Sequence, residues 1–262
     1  MRRYLELLGV QLKAALLLSM QYRLDFFIQV VLALFWSATA LVPLYVLFSV
    51  RKGVAGWSAD EMLIVVGFFT LLKGVLSAAI QPSLTNAVEH IRKGTLDFLL
   101  LKPADSQFMI STAKFELAQL ADVWTGLGIV AWAAARLPGA LSWRELLLAA
   151  AMLLCALAIL YGMWILVVSL AFRFVKLDNM NYLFVSLFEA ARWPSSVFRG
   201  ALALLFTFVI PLALLTTYPA LALLGRATLR HVGTTIAVAA AVLALARFVW
   251  LRSIRNYTGA GG

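Results

Sequence analysis

Charged side chains are scarce in this chain. Asp, Glu, Lys and Arg make up 13% of its 262 residues against 63% hydrophobic, and the mean hydropathy is +0.94. So little polar side chain cannot clothe a water-soluble globule, and that class is excluded. Cysteine occurs once, at Cys155 inside an apolar run, so no internal disulfide can form and the residue reads as packing. The only two histidines, His90 and His231, are far apart with no companion ligands, and no metal site is assigned. No G-x-x-x-x-G-K-[ST] occurs, so the chain has no P-loop to cradle ATP phosphates; H-E-x-x-H, G-x-S-x-G and C-x-x-C are absent too. Acidic residues number 12 against 22 basic, a net charge of +10. The cations cluster at the ends of apolar runs and form no basic stripe with interleaved aromatics, which excludes a nucleic-acid surface.

Long apolar runs are what the chain has in quantity. Those at about 24–50, 61–80, 107–135, 145–172, 199–224 and 231–251 each approach or exceed the ~20 residues a helix needs to cross ~30 Å of hydrocarbon. The two-residue alternation of a membrane barrel is absent. The expected fold is an all-α integral membrane protein with six transmembrane helices over residues 24–262. Residues 1–23 precede them as an amphipathic helix: Leu5, Leu8, Leu12 and Leu16 form a stripe, with Arg2, Arg3, Glu6 and Lys13 opposite. Such a helix lies in the membrane interface; its polar interruptions and the lack of a cleavage site argue against a signal peptide.

Placing both termini in the cytoplasm puts Arg2, Arg3, Lys13, Arg23, Arg92, Lys93 and Lys102 inside, with fewer cations outside, in line with the positive-inside rule. Residues 177–224 admit two arrangements. One is a cytoplasmic amphipathic loop followed by a single span from about 199. The other is a fifth span over about 177–194 followed by an apolar hairpin, 195–224, that re-enters from the outer side. Pro194, Pro211 and Pro219 favour the hairpin, because each disturbs a preceding turn and suits an element buried in protein.

The stretch "HIRKGTLDFLLLKPADSQF", residues 90–108, interrupts this pattern with charge, Gly and Pro. Pro82 suits a first helical turn and Gly94 the left-handed residue past its end, giving a helix over 82–93 with Arg92 and Lys93 near its C-terminus. Glu89 stands four residues before Lys93, a pair worth ~0.3 kcal/mol when exposed. Thr95 is placed to cap a second turn carrying Leu96, Phe98 and Leu99, and Asp105 or Ser106 to cap the third span. The expected product is a rigid helix-turn-helix that exposes an apolar set, Leu96, Phe98, Leu99, Leu100 and Leu101, rimmed by charge, as interaction surfaces are. A loop merely anchored to lipid headgroups is the competing reading.

"IRKGTLDFLLLKPADSQF" resembles the signature of the ABC-2 type permeases, with their pattern G-x-L-D-x-L-L-L-x-P. The resemblance continues in "TFVIPLALLTTYPALALLG" (207–225) and "YTGAGG" (257–262). It implies that segment 82–102, with Glu89, Arg92, Lys93, Gly94, Leu96, Asp97, Phe98 and Leu99, is a cytoplasmic coupling helix seated on an ABC ATPase subunit. Residues 1–23 would be the family's connecting helix and 195–224 its gate. The implied protein is the transmembrane subunit of an exporter in a bacterial cytoplasmic membrane, dimerised with the same or a related permease. It would hold no cofactor itself; ATP and Mg2+ would act in the partner ATPase. An autonomous secondary transporter or an intramembrane enzyme is the alternative, but only the second half of the chain looks broken, and no polar catalytic cluster is visible.

Ionisable residues within apolar runs are functional candidates. Lys73 reads as snorkelling to the inner interface, with Lys114 and Glu116 near the same side. Asp122 is deeper and should face the bundle interior or a dimer interface. Glu189 and Arg192, three apart, are positioned to pair on one helix face.

Overall fold

The computed structural model describes residues 2–51, 53–137, 141–172, 184–208, 211–255 and Tyr257. Among them there is no strand, only an isolated bridge between Val54 and Trp57. The helices are α1 (Arg2–Gln21), α2 (Arg23–Val50), α3 (Ala59–Val75), α4 (Gln81–Arg92), α5 (Asp97–Leu100), α6 (Ser106–Ser111), α7 (Leu120–Arg136), α8 (Trp143–Ser169), α9 (Ala201–Phe208), α10 (Tyr218–Leu223) and α11 (Leu229–Arg255). Five helical stretches among the described residues are long and apolar enough to cross a membrane: Arg23–Val50, Ala59–Arg92, Leu117–Arg136, Trp143–Phe172 and Leu229–Arg255. The protein is an all-helical, multi-pass membrane protein.

Local chemistry sets the helix starts. Ser58 and Glu61 form a reciprocal capping box at α3, and Ser142 and Glu145 form another at α8, each satisfying backbone donors that no helical carbonyl can reach. α3 is the buried centre, and its closest neighbour is α7. Glycine sets that distance: a Cβ on Gly126 would lie 2.5 Å from the Leu71 nitrogen, and one on Gly74 would lie 2.6 Å from the Val123 nitrogen. Around this pair lie two apolar clusters, one built on Leu72, Trp164, Phe188 and Trp250, the other on Met62, Ile64, Ala133 and Leu223.

One end of the bundle joins the start of α3 to later turns. Trp57 Nε1 donates to Ser196 Oγ at 3.1 Å, Arg226 reaches Glu61 at 2.5 Å, and Arg136 reaches Asp60 at 3.3 Å. At the other end Arg247 reaches Asp105 at 2.5 Å and Trp250 Nε1 donates to Ser106 Oγ at 3.3 Å. Between these ends the chain from Phe184 climbs alongside the core: the Phe184 ring meets Trp164 at 4.7 Å and Phe188 meets Phe69 at 5.2 Å. Gly200 takes φ +61° just before α9, and the later segment Ala213–Leu223 leads to Arg226. Thr216 Oγ1 donates to the Ala191 carbonyl at 2.7 Å, tying this later segment to the earlier one.

Several expectations are corrected. The second apolar run and the helix expected at 82–93 are one unbroken helical stretch of 34 residues, about 50 Å long, Ala59–Arg92. Its register shifts through a π-helical segment, Leu76–Ile80, because Pro82 has no N–H to give the Ala78 carbonyl. That carbonyl accepts from Glu116 N at 2.8 Å instead. Lys73 therefore sits near the middle of a long helix, with its Nζ 4.0 Å from Glu189. The third run is not one helix: α6 stops at Ser111, and the chain is irregular to Glu116, where the backbone of Lys114 exchanges hydrogen bonds with Ser83 Oγ. The run at 199–224, by contrast, is expected to be broken, and it falls into α9 and Ala213–Leu223. The candidate span over 177–194 lies partly outside the described residues, as does most of "YTGAGG".

Candidate functional site

The elbow between α4 and α5 is built by a helix stop of the Schellman kind. Gly94 takes φ +66°, Thr95 N bonds the His90 carbonyl at 3.0 Å, and Leu96, fully buried, supplies the apolar contact that accompanies such a turn. Thr95 does not cap α5; its hydroxyl is held 2.8 Å from His90 Nδ1, and Leu96 precedes the helix with no side-chain cap. Nor is the apolar set exposed as a whole. Leu96 is core and Leu99 and Leu100 pack half-buried against it, leaving Phe98 (72% exposed) and Leu101 (81%) outside. Lys93 Nζ lies 3.2 Å from Glu89, both exposed, and Arg92 closes the last turn of α4 on the surface. Asp97 opens α5.

Downstream, Asp105 pins the elbow to the last helix. Its carboxylate caps Phe108 N at 3.1 Å and takes two hydrogen bonds from Arg247, at 3.1 and 2.5 Å. Arg247 also donates to Gln107 Oε1 at 3.0 Å. The bonds from Arg247 outweigh partial burial and hold the Asp105 carboxyl below its ordinary range. α1 joins the same node: Tyr4 Oη accepts from Asp105 N at 3.2 Å, and the Tyr4 and Phe108 rings meet at 4.8 Å.

The charges within the bundle sort into separate sets. Arg192 donates to Glu189 and its guanidinium lies 5.4 Å from the Phe69 ring centroid, while Lys73 Nζ lies 4.0 Å from Glu189. Asp122, 2% exposed, accepts from Ser37 Oγ at 2.6 Å and lines one cavity with Lys73, with which it forms no ion pair. It faces the interior between α2 and α7. Lys114 and Glu116 pair at 3.3 Å beside the break before α7. Of the prolines, Pro194 opens the turn Ser195–Val197, Pro211 stands just before Ala213–Thr217 and Pro219 is buried in the first turn of α10. Among the described residues no three His, Cys, Asp or Glu side chains come together as a metal site.

A family model described as ABC-2 family transporter protein matches residues 34–261. The chain belongs to the ABC-2 transporter family. No curated protein and no solved structure matches it. ABC-2 permeases are membrane components without an ATPase domain of their own, and membership implies association with an ABC ATPase subunit. In this ABC-2 chain, sequence reasoning missed the Asp105–Arg247 pair. Arg247 carried a signal: it is a lone cation near the end of the last apolar run, opposite a loop carboxylate.

Proposed function

We propose that this chain is the permease of an ATP-driven exporter in a bacterial cytoplasmic membrane, paired with a second permease subunit above two ATPase subunits. ATP and Mg2+ act in those subunits; their closure moves the elbow, and the permeases alternate between inward-open and outward-open packings. The cargo is a hydrophobic or amphipathic small molecule. Six crossings are supported by the five long helices together with the limb that climbs from Phe184 to Trp193. A hairpin re-entering from the outer side is supported by Ser196 and Arg226, which flank it and both contact the start of α3. An interfacial α1 is supported by its exposed leucines, Leu5, Leu12 and Leu16 among them.

The observation that carries the coupling role is the elbow itself. An unbroken helix from one end of the bundle to the other stops in a fixed turn and offers Phe98 and Leu101 to solvent. Apolar side chains seated in a partner's cleft contribute roughly 1.5–3 kcal/mol each, whereas exposed ion pairs contribute at most about 1 kcal/mol. Phe98→Ala with Leu101→Ala should leave membrane abundance unchanged and cut co-purification of the ATPase at least about tenfold. Lys93→Ala should have far less effect. Undiminished ATPase capture and export in the double variant would reduce the elbow to a connecting loop.

A further inference from the structure

Polar residues line adjoining cavities between α2, α4 and the start of α7. Along Ala59–Arg92, Ser77, Gln81, Thr85 and Glu89 recur every fourth residue, so one face of an otherwise apolar helix is polar over several turns. Glu116, Gln119 and Asp122 recur every third residue opposite, and Asp25 and Gln29 line the α2 wall. Three adjoining cavities of about 520, 240 and 260 Å³ occupy the space. The first shares Glu116 with the second and Gln119 with the third, and the second and third share Gln29, so they adjoin as a segmented channel from the elbow end to mid-bundle.

The charge of this channel is opposite to that of the chain. Its walls carry four carboxylates, Asp25, Glu89, Glu116 and Asp122, and two ammonium groups, Lys73 and Lys114. The whole chain has 22 basic residues to 12 acidic. Lys114 is matched by Glu116, and Lys73 has Glu189 within reach. Asp122, at the deep end, is 98% removed from solvent yet lines the cavity, and Ser37 is its sole hydrogen-bond donor among the described residues, with no cation within salt-bridge distance. A carboxylate so buried in a membrane protein is costly unless something positive completes it. Leu32 and the Trp36 ring sit beside it, an apolar wall and a π face suited to the body next to a cationic head.

We propose that this channel receives the head group of a cationic amphiphile, a primary amine or guanidinium, with Asp122 as its counter-ion. The inference rests on the permease reading for its direction of travel but not for binding. The probe is dansylcadaverine, a fluorescent primary amine, against its N-acetylated form, titrated into the full chain in lipid nanodiscs with empty nanodiscs as blank. The amine should bind about tenfold more tightly than the acetylated form, as a charge-assisted contact predicts. Asp122→Asn, which keeps the Ser37 hydrogen bond, should abolish that difference and leave the acetylated form unchanged. Should Asp122→Asn fail to fold, Glu116→Gln should still weaken the amine selectively, by about threefold. Equal affinities for the two probes, or undiminished amine binding in the variants, overturns the proposal. ATP-driven movement of a neutral compound without amine selectivity would sink this inference and leave the exporter standing. Selective amine binding with no ATP-driven movement would do the reverse.

Discussion

Asp105 does two jobs with one carboxylate, as helix cap and as partner of Arg247. Asn caps as well as Asp but carries no charge, so Asp105→Asn isolates the ion pair. A carboxyl whose folded pKa is depressed contributes stability above its unfolded value, lost as pH falls through the folded one. The thermal midpoint of Asp105→Asn should therefore lie below that of the parent at pH 6–8, and the gap should close below about pH 4. A pH-independent gap would remove the pair's electrostatic role. Leu96 illustrates the opposite kind of residue. It sits in the loop signature but is fully buried, so Leu96→Ala should cost about 2–5 kcal/mol of stability, as a cavity does, read by thermal unfolding in detergent. Phe98→Ala, at an exposed site two residues on, should leave that midpoint unchanged.

At the scale of elements, two prolines shift the helical register without ending the helix. Among the described residues both π-helical segments, Leu76–Ile80 and Ala213–Thr217, stop two residues before a proline, Pro82 and Pro219. Each proline leaves a carbonyl four residues back without its helical donor, and the wider π turn absorbs the mismatch. At Pro82 the freed carbonyl is taken up by Glu116, which fastens α4 to the chain before α7. Glycine governs the packing of α3 on α7. Gly126→Ala must push the two backbones apart and should destabilise by about 1–3 kcal/mol. Gly128, two residues away with nothing within 4 Å of its would-be Cβ, should accept Ala with no loss or a slight gain from helix propensity. Equal thermal midpoints for the two variants would contradict the close approach.

At the scale of the whole molecule, the alternation of ends predicts a labelling pattern. Single cysteines replacing Gly56, Arg199 and Arg226 should react with an impermeant thiol reagent from outside the cell, and one replacing Lys102 should not. A single full span over 199–224 would instead protect Arg199. Reversal of all four sites would turn the elbow away from any cytoplasmic ATPase and end the coupling proposal.

The sequence by itself determined the class, because scarce charge and runs of about twenty apolar residues have one physical outcome, helices in lipid. It also determined the turn at Gly94 and the cap at Asp105, whose causes lie within a few residues. It identified the family through a local signature in the elbow. Only the tertiary structure decided which signature leucines are core and which are surface, since burial depends on what packs against them. It also decided that Lys73 meets Glu189, that Arg247 meets Asp105, and that polar residues from distant parts of the chain line adjoining cavities. These contacts join residues far apart in the chain, and no periodicity within one helix specifies which face its neighbour will cover.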